Sequence, residues 1–103
     1  MNQSDLQPLL ADPSALPRST TLLRENGLRC LLLHLKPGEE IPEHSAPGAI
    51  SVHCLQGHVL FSEGEAITEL HPGQLLTVAA NAPHALQARE ESLLLVTLAQ
   101  PTA

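Results

Sequence analysis

The chain has 103 residues, one domain's length and enough to bury a single core. Its formal net charge is −6, with only Arg18, Arg24, Arg29, Lys36 and Arg89 basic, a balance that repels a phosphate backbone and argues against a nucleic-acid partner. Phe61 is the only Phe, Tyr or Trp, so the aromatic platforms of single-strand and many sugar binders are missing.

Residues 1–17 carry no basic leader and no apolar run of signal-peptide length. The longest apolar runs, Cys30–Leu33 and Leu93–Val96, fall far short of a membrane helix. The expected setting is therefore cytoplasmic, with no membrane partner. Cys30 and Cys54 lack a framework spacing and read as free thiols. Leu6, Leu9, Leu10 and Leu16 make the first 17 residues an N-terminal arm or short helical turn that packs on the rest of the chain.

From residue 18 to 99 the chain is punctuated by turn signals: Asn26-Gly27, Pro37-Gly38, Pro47-Gly48, Gln56-Gly57, Glu63-Gly64, Pro72-Gly73 and Asn81-Ala82-Pro83. Successive signals start 7 to 11 residues apart. Glycine supplies positive φ and proline fixes φ, so each signal turns the backbone. The runs between them, 19–24, 28–36, 41–44, 49–55, 58–62, 66–70, 74–79, 84–88 and 92–99, are too short for ordinary helices and predict strands. Leu31-Leu32-Leu33 and Leu93-Leu94-Leu95 have helical propensity, but Pro37-Gly38 stops the first and the second is set among strands. The expected fold is all-β, one barrel or sandwich over 18–99 with a short tail at 100–103.

The order of these signals resembles the cupin family of small jelly-roll β-barrels. Its first motif, G-x5-H-x-H-x3/4-E-x6-G, is matched by Gly38, His44 and Gly57. Its second, G-x5-P-x-G-x2-H-x3-N, is matched by Gly73 and His84, with Ala79, Asn81 and Ala88 at the remaining positions. Asn81 suits a position that asks for left-handed backbone. The resemblance implies a metal held by the two histidines and the glutamate of the first motif and the histidine of the second. Here Ala46 stands for the second histidine and Ile50 for the glutamate, so His44 and His84 are the only ligands left.

Alternation along strands puts Ile50, Val52 and Cys54 on one face and Ser51, His53 and Leu55 on the other. The more apolar set is expected inside. His84 and Leu86 share an inward face as well. The expected pocket is therefore the His44 and His84 pair walled by Ala46, Ile50, Val52, Cys54 and Leu86.

Three readings of the pair stand. It binds a small, mostly apolar molecule or a weakly held divalent metal. Alternatively it is the centre of a metal-dependent enzyme, a dioxygenase or isomerase with iron, manganese, nickel or zinc on His44 and His84. Or the barrel is a catalytically silent sensor or interaction domain. Open metal sites usually have three protein ligands, and Cys54 reads as a small buried hydrophobe rather than a third. Histidine-tyrosine epimerase chemistry lacks its tyrosine. His58 reads as a residue near a strand start, His71 as a solvated turn residue, and Glu63, Glu65 and Glu69 as a solvated hairpin. A homodimer is expected from the resemblance and from the apolar residues on both faces of the long strands.

Overall fold

The computed structural model describes residues 1–100. A five-residue helix, α1 (Gln7–Ala11), precedes nine strands: β1 (Ser19–Glu25), β2 (Leu28–Leu35), β3 (Glu40–His44), β4 (Ile50–Gln56), β5 (Val59–Glu63), β6 (Ala66–Leu70), β7 (Leu75–Val78), β8 (His84–Ala88) and β9 (Ser92–Ala99). These match the runs between turn signals to within one residue at each end. The leucine runs are strands because neither has room for three helical turns before its turn residues. Of the expected tail, residues 101–103 lie outside the described residues.

The strands form two antiparallel sheets, β1-β2-β9-β4-β7 and β3-β8-β5-β6, the two layers of a jelly roll. Between them lie Leu31, Leu35, Ile50, Val52, Cys54, Val59, Phe61, Leu70, Val78, Leu86, Ala88, Leu94 and Val96. Period-two alternation produces this core directly: β4 and β8 each bury every second residue.

Strand β2 is buried on both faces, and the chain itself explains why. Leu32, His34 and Leu93 face away from the inter-sheet core, yet are only 1%, 4% and 0% exposed. The N-terminal segment lies over them. Leu16 O accepts from His34 Nδ1–H at 3.1 Å, Leu10 O accepts from Gln56 Nε2–H at 3.0 Å, and Arg18 O accepts from the His34 backbone N–H at 2.8 Å. Leu32, His34 and Leu93 are thus covered by residues of the same chain, while His53, Leu55 and Leu95 on the same outer face stay half-buried.

Two backbone features position the site. Gly57 sits at φ +95, and a Cβ there would stand 2.2 Å from Ser92 Oγ and 2.4 Å from Glu91 O. No other residue fits, which is the physical content of the first motif's last glycine. The second feature is a bulge in β3. Ile41 pairs with Leu86, but His44, not Glu43, pairs with His84. One extra residue lies between the two pairs, and Pro42, which has no N–H to give a ladder, falls inside it.

Candidate functional site: a histidine pair at the rim of the barrel

The bulge sets which side chain meets His84. Without it, Glu43 would stand opposite His84 and His44 would turn outward. With it, Ile41 and His44 lie on one face although they are three apart. The two imidazoles meet edge to face, with ring centroids 4.3 Å apart and planes at 62°. His84 is 3% exposed and stacks on Phe61, with centroids 5.5 Å apart and planes at 14°. His44 is exposed. The pair therefore spans from core to solvent.

Each ring is oriented by the same local hydrogen bond. His44 Nδ1–H donates to Pro42 O at 3.0 Å, and His84 Nδ1–H donates to Ala82 O at 2.9 Å. A carbonyl can only accept, so the proton of each neutral ring lies on Nδ1 and each Nε2 presents a lone pair. The two segments are also tied together. Asn81, in left-handed backbone at φ 65, donates its N–H to Ala46 O at 2.7 Å.

Below the rings is a cleft of about 50 Å³, lined by Leu33, Ile41, Ile50, Val52, Phe61, Leu86 and Val96. Of the residues expected around the pair, Ile50, Val52 and Leu86 line it. Cys54 and Ala46 do not. Cys54 is fully buried deeper in the core, and its thiol donates to Gln56 O at 3.4 Å. Burial, followed by the nearby charge of Glu90, pushes that thiol up from its ordinary value, which opposes the thiolate a metal needs. Ala46 packs partly buried against the core and contributes its backbone carbonyl to the loop instead.

A two-layer antiparallel jelly roll with paired imidazoles at one rim defines a class of small single-barrel proteins. The model of the cupin domain family matches residues 31–99, and the chain belongs to that family. Solved structures agree. An RmlC-like cupin from Desulfovibrio desulfuricans superposes with a TM-score of 0.79 at 22% identity, covering 99% of both chains. A conserved protein of unknown function from Streptococcus pyogenes is 32% identical, with a TM-score of 0.76 over 82% of this chain and 75% of that one. A cupin superfamily protein from Desulfitobacterium hafniense gives 0.77 at 22% identity, over 81% and 76%. No curated protein matches the chain. No helix among the described residues is long and apolar enough to cross a membrane.

A second group of metal-ligating side chains lies elsewhere: His58, Glu69 and His71 converge on the outside of the β5–β6 hairpin. The signal that joins them is the two-residue turn Gly64-Glu65, which fixes the register so that Val59 faces Leu70 and, one step further out, His58 faces His71. Reading each histidine alone misses it.

Proposed function

We propose that this cupin is a binding barrel whose polar anchor is the His44–His84 pair, and that the pair holds a divalent metal ion weakly, leaving most of its coordination positions to water or a small molecule. The observation that carries this is the matched pair of backbone hydrogen bonds at Nδ1. They leave Nε2 of both rings as acceptors, on two rings whose centroids are 4.3 Å apart at the same rim. Backbone-oriented imidazoles are how proteins commonly aim metal ligands.

The donor set supports a weak ion and does not fit a tightly held one. Two neutral imidazoles bring no charge to offset the cation, and no carboxylate lines the cleft. Ala46 and Ile50 stand where the family pattern has further donors. A bound ion would supply Lewis acidity to a ligand atom beside it. The chain's own contribution is orientation through Pro42 O and Ala82 O, and exclusion of water by Phe61, Ile50 and Leu86. The cleft has room for one or two water-sized groups, so any larger ligand reaches the pair from the solvent side at His44.

The test is calorimetric titration of manganese, iron(II), nickel and zinc into chelator-stripped chain carrying Glu69→Gln and His71→Ala, which silence the outer cluster. A weak event that disappears in both His44→Ala and His84→Ala is the expected result. His44 is exposed, so its variant keeps the fold even where His84→Ala is destabilised. Binding that survives His44→Ala, or no binding of any of the four ions, overturns the metal reading.

A further inference from the structure

The outer face of the β5–β6 hairpin carries chemistry that the barrel interior does not use. Val59 and Leu70 point into the core at 0% and 2% exposure. Their neighbours His58 and His71, just past the ladder's last pair Val59–Leu70, therefore point outward, and Glu69 lies two residues before His71 on the same face. The two imidazoles stack with centroids 4.3 Å apart and planes at 15°. Glu69 Oε1 is 3.1 Å from His58 Nε2. One ligand atom from each of the three side chains lies within 4.8 Å of the others.

The backbone under these side chains is held at both ends. The His58 N–H donates to Ser92 Oγ at 3.1 Å, and its carbonyl accepts from the Arg89 N–H at 2.8 Å. The His71 N–H donates to the Gln74 side-chain oxygen at 2.8 Å, and its carbonyl accepts from the Gln74 N–H at 3.0 Å. The two histidines thus sit on fixed Cα positions, with His58 half-buried and the His71 and Glu69 side chains exposed. Rigid support is what a preorganised site needs.

We propose that His58, Glu69 and His71 form a second, surface metal site, separate from the barrel rim, which takes a late first-row divalent ion such as zinc, nickel or copper. Two imidazole nitrogens and one carboxylate oxygen suit such ions, and three protein ligands leave a position open to water or an outside ligand. Metal–nitrogen distances near 2.0–2.1 Å bring two ligand nitrogens to roughly 3.4 Å in a tetrahedral shell. Small side-chain rotations at His71 and Glu69 supply the difference, and they open the stacked rings so that both lone pairs meet one ion. In the metal-free state the His58 Nε2–H donates to the Glu69 carboxylate. When Nε2 takes the metal, the neutral ring carries its proton on Nδ1 instead, so that the Nε2 lone pair faces the ion.

The experiment is zinc titration of the full, chelator-stripped chain at neutral pH, read by calorimetry. The expected result is one event tighter than the rim site. Loss of a ligand should cost at least as much as loss of an orienting partner, which is typically 10–100-fold. His71→Ala and Glu69→Gln should therefore each weaken zinc by roughly tenfold or more, with unchanged melting curves, while His44→Ala leaves the event in place. Zinc affinity that is unchanged in His71→Ala, absence of the tight event, or its loss in His44→Ala overturns the site. The last result would assign the zinc to the barrel rim, so this proposal and the rim proposal fail separately.

Discussion

Two pairs of imidazoles lie 4.3 Å apart in this barrel, and they have opposite surroundings. At the rim, His44 and His84 meet edge to face, backed by Phe61 and aliphatic side chains, with both Nδ1 atoms bonded to backbone carbonyls. On the outer hairpin, a half-buried His58 and an exposed His71 lie nearly parallel, with the exposed Glu69 beside them. The first pair has orientation, and shelter at His84, but no negative charge. The second has the charge but little shelter. Metal affinity depends on donor number and charge before burial, since an ion that leaves water must recover its hydration from its ligands. Position in the fold's usual pocket therefore does not decide which pair binds more tightly.

The change that disrupts both pairs most is Gly57→Ala. Gly57 ends the turn before His58 and lies against the start of β9, which pairs with β4 beside the rim. An added Cβ meets Glu91 O at 2.4 Å and Ser92 Cα at 2.6 Å, backbone atoms that no rotamer change removes. Positive φ adds strain for any L side chain. The expected cost is about 4 kcal/mol, near the upper end for single substitutions. Thermal denaturation should show a fall of well over 10 °C, at about 4–8 °C per kcal/mol for a domain of this size. A melting point within a few degrees of wild type would show that the turn can relax and that the glycine does not hold the two sites in place.

That glycine was legible in the sequence, and so were the strands, because both depend on local chemistry. Gly38, Gly57, Gly73 and Asn81 all adopt the positive φ that their turns require. The seven turn signals together set off eight of the nine strands, and only the charged Arg89-Glu90-Glu91 parts the last two runs. Local chemistry also favoured the inward face of β4, since Ile50, Val52 and Cys54 are more apolar than Ser51, His53 and Leu55. What was not legible depends on register and on distant packing. Strict alternation treats Ile41 and His44 as facing opposite ways, and only the bulge at Pro42-Glu43 reverses that. The burial of Leu32 and His34 comes from an arm more than a dozen residues earlier, which period-two reading of β2 cannot reveal. Cys54 had the correct face but the wrong depth, for the same reason.

The comparison of the two pairs is sharpened by giving the rim its missing charge. Ile50 is 7% exposed and lines the cleft beside the histidines. Ile50→Glu places a carboxyl there, at the position where the family pattern has glutamate. Without metal, exchanging a packed isoleucine for a buried acid should cost about 2–3 kcal/mol. With metal the acid has a partner, and binding to the native state alone restores stability by mass action. The expected outcome is a variant that melts several degrees below wild type in chelator and recovers most of the loss in millimolar manganese or zinc. With the hairpin cluster silenced in both by Glu69→Gln and His71→Ala, the parent with Ile50 should respond to the same ions far less. Equal responses of the two proteins would mean that charge is not what distinguishes the rim from the hairpin.

The smallest expected effect calibrates what an exposed charge contact is worth without any metal, and so bears on His58 and Glu69. Arg18 and Glu39 form an exposed ion pair, and the Lys36 backbone N–H also donates to Glu39, at 2.7 Å. The Arg18 hydrogen bond first, and the Lys36 N–H second, hold the Glu39 carboxyl below its ordinary value of 4.5. A carboxyl lowered in the folded state stabilises the fold at pH above its unfolded value. That contribution is lost as pH falls through the lower, folded value. Arg18→Ala removes the larger cause and leaves the smaller. The urea midpoint of the variant should therefore lie slightly below wild type at neutral pH, and it should decline less steeply below about pH 4.5, so that the two curves converge in acid. Salt should narrow the gap at neutral pH, because exposed pairs are screened. Parallel curves across the acid range would show that the pair contributes nothing through Glu39. They would also weaken any case that the His58–Glu69 contact persists for its own stability rather than as one side of a metal site.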